Sequence, residues 1–302
     1  MWTCGHVGMW ACGHVGMWAL AMASEMALDE RSDNFVRFEI IMQMLARSLT
    51  CLFPAVLILF LLICGAGFAE KKIQKNDGKP LRALLVTGGG YHDYKKQKTI
   101  LTEGISKRAN VEWDIFIGDA AKTKAKLSED GWADDYDVIV YNLCHAHETD
   151  GNFVEALSKV HREGKAAVVL HCSMHSYHWK VPGETKHWPA MLGVTSPRHG
   201  KHAPIEVTNL AKDHAVMKGF PKKWTTPKGE LYHIDKTWPS ATVLAKGSID
   251  GGKKFHDCVW VNTYGKGRVF GTTLGHHNET MSEDNYLGLV TRGLLWATGN
   301  LE

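Results

Sequence analysis

Cysteine is scarce beyond residue 69, where only Cys144, Cys172 and Cys258 remain. Three widely spaced cysteines do not form the disulfide framework that holds small secreted domains together. A bridge between Cys144 and Cys172 would require their Cα atoms to lie within about 7 Å and their Cβ directions to match. We therefore expect both thiols to be free, although each follows a predicted strand.

The sequence also lacks a stripe of arginines and basic residues interleaved with aromatic ones. Its formal net charge is only +3, and its lysines are scattered along the chain. Nucleic-acid-binding proteins usually gather basic residues on one face. The charge pattern therefore argues against a nucleic acid partner.

Two motifs of α/β enzymes are absent. Gly88-Gly89-Gly90 lacks the G-x-G-x-x-G spacing and the Lys-Ser/Thr pair of phosphate-binding loops, so it favours a plain turn and predicts no nucleotide cofactor. Ser173 lacks the flanking glycines of a hydrolase nucleophile elbow. Cys172 remains a candidate nucleophile with His276 as its base. The alternative is a buried structural thiol.

Residues 1–43 open with an octapeptide repeat, MWTCGHVG followed by MWACGHVG, which is too short for a solenoid. We interpret this segment as a leader upstream of a mis-set translation start, with Met42 or Met44 as the working initiator. The alternative is a metal-binding Cys-Gly-His tract.

Residues 44–69 have the pattern of a secretory signal peptide. Arg47 precedes an apolar run from Leu52 to Cys64, and Gly67-Phe68-Ala69 provides a cleavage site. An uncleaved membrane anchor is the alternative, because residues 48–69 carry no charge. We expect a periplasmic or extracellular protein that begins near residue 70 with a polar linker to residue 80. No stable membrane partner is expected unless the signal stays uncleaved.

The first half of residues 81–302 alternates strands with helices. Predicted strands lie in LRALLVTGGG, VEWDIFIGD, YDVIVYNLCHAH and KAAVVLH, and predicted helices span about 95–109 and 152–163. Continuous apolar strands indicate a parallel sheet covered on both faces. Ligands of such sheets bind at the carboxyl ends of the strands. This rule places residues 88–93, 144–148 and 171–178 at one edge.

The second half has a different pattern. Residues 182–202 are predicted to be a loop, and residues 213–235 are predicted to be irregular. APIEVTNL, TVLAKG and CVWVNTYGKGRVFGTTLG predict antiparallel strands, the last two turning at Gly265-Lys266-Gly267, and residues 283–299 predict a closing helix. The antiparallel strands extend the same domain, because no linker separates the halves.

Six motifs follow one another between residue 81 and the end: VVLH, HWPAMLGV, DHAVMKGF, GELYHI, VWVNTYGKGRVFGTTLGH and LLWATGN. In these motifs and their order the chain resembles the ThuA-like (trehalose utilisation) family. The resemblance implies a three-layer α/β/α fold like flavodoxin and glutamine amidotransferases, without the amidotransferase triad. The sequence departs from the family at Gly229 and His277, where acidic residues are usual.

The resemblance and the strand-end rule together single out a set of polar residues. We expect His171, Glu230 and His276 to be catalytic by proton transfer. His171, His202 and His276 are the candidate ligands of a divalent zinc, manganese or iron ion. The candidate substrate-binding residues are Tyr91, His145, His147, His178, His199 and Tyr232, and Trp179, Trp188 and Trp238 could stack on sugar rings or belong to the core.

Two functions fit this pattern. The first is an exported carbohydrate-processing enzyme that acts on a disaccharide or keto-sugar through His/Glu acid–base chemistry, with or without a metal. The second is a non-catalytic carbohydrate-binding module on the same fold. In both cases the partner is a small carbohydrate.

Overall fold

The computed structural model describes residues 78–182 and 186–302. Their strands are β1 (Leu81–Gly88), β2 (Val111–Ile117), β3 (Val138–Leu143), β4 (Ala166–Leu170), β5 (Val194–Thr195), β6 (Arg198–His202), β7 (Glu206–Asn209), β8 (Lys223–Thr225), β9 (Glu230–His233), β10 (Lys236–Thr237), β11 (Ala241–Ser248), β12 (His256–Tyr264) and β13 (Gly267–Thr272). Their α-helices are α1 (Tyr94–Ser106), α2 (Ala120–Lys126), α3 (Gly151–Arg162), α4 (His187–Leu192), α5 (Asn278–Met281) and α6 (Asp284–Ala297).

One nine-stranded sheet joins the two halves of the described chain, in the order β2-β1-β3-β4-β13-β12-β11-β7-β8. The pairs from β2 to β13 are parallel, and the pairs from β13 to β8 are antiparallel. The predicted parallel sheet with an antiparallel extension is therefore confirmed.

Alternate residues of the central strands pack on opposite faces of the sheet. On one face Ala83 and Leu85 join a core with α1 and α6, whereas Leu84 and Val86 join a core with α3 and α4 on the other face. Parallel strands buried on both faces need apolar residues at every position, which explains their continuous apolar runs. The result is the expected three-layer α/β/α arrangement.

Three aspartates fix where the helices of the parallel half begin. Asp93 accepts a hydrogen bond from Lys96 N at the start of α1, and Asp119 accepts one from Lys122 N at the start of α2. Asp150 does the same for the backbone of α3. Such caps satisfy backbone N–H groups that have no partner inside the helix. They begin α1 and α2 just beyond the carboxyl ends of β1 and β2.

The turn between β12 and β13 lies where the sequence predicts it. Tyr264 pairs with Gly267 across the hairpin, and Gly265 has a φ of +61°. A Cβ atom at Gly265 would lie 2.3 Å from the carbonyl oxygen of Arg162. Glycine is therefore required here both by the backbone conformation and by the close approach of α3.

Two segments expected to be irregular are ordered differently. Residues 182–202, predicted to be a loop, contain α4, β5 and β6, and residues 213–235 contain β8 and β9. The helix α2 was also not predicted. The strand RHGKH of β6 has no apolar alternation, so only its pairing with β9 makes it a strand.

The predictions for residues 1–77, namely the leader, the signal peptide and most of the linker, lie outside the described residues. Within the part of the chain that is described, no helix has both the length and the apolar character needed to cross a membrane.

Candidate functional site

The carboxyl edge of the parallel strands is covered by an antiparallel ribbon formed by β6 and β9. Its register places His202 opposite Glu230 and His199 opposite Tyr232. Thr272 and Leu170 pair at the ends of β13 and β4, and the chain beyond them carries His276 and His171 to the same place. Glu230 and the three predicted histidines are thus brought together by four different segments.

Glu230 is the centre of this arrangement, because it is nearly buried and contacts four imidazoles. Its Oε1 lies 3.0 Å from His199 Nδ1 and 3.0 Å from His202 Nε2. Its Oε2 lies 3.1 Å from His276 Nδ1 and 3.4 Å from His171 Nε2. Of these four contacts, those of His202 and His276 have hydrogen-bond geometry.

The surroundings lower the pKa of Glu230 and of three nearby histidines, His92, His171 and His175. Burial alone would raise the pKa of Glu230, but the contacts of His171 and His276 with its carboxylate hold that pKa well below its ordinary value. Burial lowers the pKa of His171. Burial, followed by the neighbouring His171 and His276, lowers the pKa of His92 to about 3. Burial also lowers the pKa of His175 to about 2.

His171 is the first residue of a 3-10 turn, His171–His175, and its φ is +44°. A bulky residue rarely adopts this left-handed conformation, and such strain is concentrated at functional sites. His171 Nδ1 lies 2.6 Å from the carbonyl oxygen of Thr273 and must donate a proton to it. In the neutral ring Nε2 then carries the lone pair, which can accept a hydrogen bond from His276 Nδ1, 3.1 Å away.

His92, in the loop between β1 and α1, completes the cluster and was not among the predicted site residues. Its Nε2 atom is buried and has no hydrogen-bond partner. Its ring contacts His171 and His276, with centroids 5.0 and 4.5 Å apart. The strand-end rule had already placed residues 88–93 at this edge, so that rule was the signal that could have identified His92.

Two groups of histidine nitrogens in the described chain are close enough to share a metal ion. The donor atoms of His92, His171 and His276 lie within 4.8 Å of one another, and so do those of His202, His276 and His277. The predicted ligands His171, His202 and His276 are divided between these groups. The first group fits a cation better, because it contains the unpartnered Nε2 of His92 and the Nε2 lone pair of His171.

Two buried amide side chains are linked by hydrogen bonds to the His276 backbone. Gln97 donates to the carbonyl oxygen of His276 at 3.1 Å, and Asn142 donates to the Gln97 side chain at 3.1 Å. Both amides are buried in the sheet–helix interface. They fix the His276 backbone relative to α1 and β3.

The histidine cluster opens into a cavity of about 410 Å³, called here the histidine cavity. Four of the six predicted substrate-binding residues line it, namely Tyr91, His147, His199 and Tyr232. The other two do not. His145 is buried with Nε2 3.2 Å from Thr123 Oγ1, and His178 lies outside the lining with a buried, unpartnered Nε2.

Aromatic rings form one side of the histidine cavity. His175 stacks on Tyr232 with ring centroids 3.9 Å apart, and its Nε2 bonds to Ser196 Oγ. Trp179 also lines the cavity, and 41 % of its surface is exposed. Trp188 instead is fully buried and donates to the carbonyl oxygen of Ser173. Trp188 is therefore a core residue.

The expectation of two free thiols is wrong in this structure. Cys144 and Cys172 form a disulfide, with their Cα atoms 5.1 Å apart. The parallel pairing of β3 with β4 brings their carboxyl ends together and satisfies the distance requirement. A bridged sulfur has no thiolate, so Cys172 is not a nucleophile in this state. Cys258 is the free cysteine of the described residues, and it is buried.

The sequence departs from the family pattern at Gly229 and His277, and both residues have close neighbours in the structure. A Cβ atom at Gly229 would lie 2.6 Å from Ile205 Cδ1, so a larger residue requires Ile205 to move. His277 contacts the rings of both His276 and His202. It adds an imidazole where a carboxylate is usual.

Comparison with known proteins identifies the family. The family model ThuA, described as "Trehalose utilisation", matches residues 82–297. A ThuA-like protein from Parabacteroides merdae has a similar structure, with a TM-score of 0.62, 20 % identity, and coverage of 74 % of this chain and 92 % of that one. A second, from Bacteroides uniformis, has a TM-score of 0.57, 16 % identity, and coverage of 74 % and 94 %. No curated protein matches.

Proposed function

This chain belongs to the ThuA family, and from that premise we propose that it is an exported carbohydrate-processing enzyme. Its substrate is a disaccharide or a keto-sugar, and its chemistry is proton transfer by histidine and glutamate. The observation that carries the proposal is the nearly buried Glu230 carboxylate in contact with four histidines. A catalytic carboxylate needs such a fixed position beside partners that exchange protons.

Glu230 acts as the base that removes a proton from a sugar hydroxyl or from a carbon beside a keto group, once bound substrate replaces the His171 and His276 contacts that hold its pKa low. Its Oε1 also contacts His199 and His202, whose side chains are 47 % and 58 % exposed. These two histidines reach both the carboxylate and solvent, so they pass the proton outward. Glu230 is thereby returned to its ionised form.

His92, His171 and His276 are the proposed ligands of a divalent ion such as zinc, manganese or iron. Three imidazole nitrogens leave an open coordination position for a substrate oxygen. The hydrogen bond from His171 Nδ1 to the Thr273 carbonyl is typical of a metal ligand, because it fixes the ring and its tautomer. When bound, the ion would polarise a hydroxyl or carbonyl oxygen of the sugar.

The aromatic side of the histidine cavity supports a sugar as the ligand. Tyr91 and Trp179 present exposed rings to the cavity. The apolar faces of a sugar ring pack on such surfaces while its hydroxyls reach the surrounding histidines. The family description, trehalose utilisation, agrees with this ligand class.

Export is supported by the disulfide between Cys144 and Cys172. Disulfides persist in the periplasm and outside the cell but are rare in the cytosol. The signal-like pattern of residues 44–69 agrees with the same location.

The test is turnover of a panel of disaccharides and keto-sugars by the purified protein, with and without added zinc, manganese or iron. Glu230→Gln should reduce the rate by roughly 10²–10⁴. Glu279→Gln is the matched control, because Glu279 is an exposed carboxylate paired with Lys228. Sugar binding without turnover under every condition would favour the carbohydrate-binding module instead, and equal rates in both variants would exclude Glu230 as the base.

A further inference from the structure

A second cavity, of about 730 Å³, adjoins the histidine cavity and is called here the glycine-loop cavity. It lies where β1, β2 and β3 end, and its lining includes Gly88–Gly90. The two cavities share a wall that contains Tyr91, His92, Ala146 and His147. A ligand longer than one ring that enters the histidine cavity can therefore extend into the glycine-loop cavity.

The glycine-loop cavity has an exposed apolar surface suited to a ring. Tyr91 is 59 % exposed and Ile117 is 45 % exposed, although both are large apolar side chains. The Tyr91 hydroxyl lies 3.4 Å from His147 Nε2, which holds the phenol ring between the two cavities. Most of the exposed cavity wall is apolar, as in sites that bind small organic ligands.

The lining of this cavity contains two carboxylates, Asp93 and Asp119, and two lysines, Lys95 and Lys122, so its formal charges cancel and favour a neutral, hydroxylated ligand over a phosphate. The α1 and α2 N-termini already carry the carboxylates of Asp93 and Asp119 as caps. Each carboxylate occupies one of the backbone N–H groups that an anion would use, and both would repel an anion. Asp119 bonds Lys122 N through Oδ1, which leaves Oδ2 to accept a hydrogen bond from a ligand hydroxyl.

The glycines are explained by packing rather than by phosphate binding. A Cβ atom at Gly88 would lie 1.9 Å from Gly118 O, and one at Gly89 would lie 2.2 Å from Cys144 O. Gly90 has open space at its Cβ position and faces the cavity. The loop therefore packs against the neighbouring strand ends and leaves a neutral concave surface.

We propose that the glycine-loop cavity binds the second ring of a disaccharide or glycoside whose reacting ring lies beside Glu230. This inference rests on the proposed function, because it assigns the first ring to the histidine cavity. It makes the preferred substrate a two-ring sugar, in which Tyr91 separates the rings.

The test uses two tyrosine substitutions on the first turn of α2. Ala120 lines the glycine-loop cavity, whereas Ala121 is exposed and lies outside its lining. Ala120→Tyr should fill the cavity, and Ala121→Tyr is the matched control. Binding of trehalose, maltose, cellobiose and methyl glucoside is measured by calorimetry, and turnover is measured separately.

The Ala120→Tyr substitution should weaken the affinity for disaccharides at least about tenfold. Methyl glucoside should bind to this variant as it binds to the unchanged protein. Ala121→Tyr should bind every sugar normally. Equal disaccharide binding by the two variants, or absence of disaccharide binding altogether, overturns the second-ring site. The second-ring site is also overturned if inorganic phosphate binds to the unchanged protein and this binding is lost in Ala120→Tyr.

The two proposals fail in different ways. If both tyrosine variants turn over disaccharides equally fast, the second-ring site is excluded and the catalytic proposal is unaffected. Disaccharide binding that depends on Ala120 but leads to no turnover supports the second-ring site and removes the catalytic proposal.

Discussion

His161 and His171 are both buried almost completely, but their surroundings differ. Both nitrogens of His161 are used: Nε2 lies 2.8 Å from the Tyr141 hydroxyl, and Nδ1 lies 2.9 Å from the Lys165 carbonyl oxygen. His171 uses one nitrogen on a carbonyl and directs the other at Glu230 and His276. Burial is therefore common to a structural histidine and a candidate catalytic one.

What separates them is the second nitrogen. At His161 the protein satisfies both ring nitrogens with its own groups, so nothing remains for a ligand. Around His171, nitrogens of four histidines converge on the Glu230 carboxylate, and Nε2 of the neighbouring His92 has no partner. An unsatisfied buried polar atom costs stability, so its retention points to a ligand or to chemistry.

The largest expected effect is on rate. His171→Asn should reduce sugar turnover by roughly 10²–10⁴, because it removes a group from the acid–base cluster. Asparagine is chosen because it tolerates the positive φ of His171. His161→Gln should leave the rate per folded molecule unchanged. Steady-state kinetics on both variants measures this difference. A comparable loss of turnover rate in His161→Gln would contradict the assignment of His161 as a structural histidine.

The next effect is on stability in acid. Burial lowers the pKa of His161 to about 4, while the unfolded chain has an ordinary histidine pKa near 6.5. The unfolded state therefore binds the extra proton first, so this contribution is complete above about pH 6.5 and is lost as the pH falls to 4. The loss is roughly 3 kcal/mol.

His161→Gln removes the titrating ring while keeping hydrogen-bonding atoms near Tyr141 and Lys165. Urea unfolding between pH 7 and pH 4 should therefore show a smaller loss of stability in this variant than in the unchanged protein. Parallel curves for the two proteins would mean that His161 titrates normally in the folded state.

Metal addition gives the third contrast. Zinc at about one hundred times its Kd should raise the free energy of unfolding by about 2.7 kcal/mol, because it binds only the folded cluster. His92→Ala should abolish this gain, whereas His161→Gln should keep it. Thermal unfolding with zinc and with a chelator measures both. A gain that survives in His92→Ala would place the ion elsewhere.

The smallest effect on turnover is expected from the sulfur atoms. Replacing Cys144 and Cys172 together by serine should change turnover per folded molecule by no more than a few fold, because neither sulfur belongs to the proton-transfer set. The bridge closes a loop with a sequence separation of 28, so stability should fall by about 3.6 kcal/mol. A double variant that folds but shows no turnover would indicate a catalytic role for Cys172.

Much of the parallel half could be predicted from local patterns. The apolar runs that form β1, β3 and β4 need no partner to be recognised, because strands buried on both faces are apolar throughout. The strand β2 lies at the edge of the sheet and has no fully buried residue. The helix α2 escaped prediction because it has only seven residues, four of them lysine or threonine. A short polar helix leaves little periodic signal.

The ribbon of β6 and β9 could not be predicted in the same way. Its sequences RHGKH and ELYH are short and largely polar, and they become strands only by pairing with each other. The same pairing places His202 opposite Glu230. The sequence suggested which residues belong to the site, but their pairing across 28 positions is a tertiary property.

The sequence by itself determined the layered α/β fold, the family, and the edge of the sheet where polar residues gather. These features follow from periodicity and from the direction of parallel strands, which are local or topological properties. Only the tertiary structure decided the cysteine bridge, the entry of His92 into the cluster, and the division of the predicted metal ligands into two groups. Each depends on distances of a few ångströms between segments far apart in the chain, and those distances are set by packing.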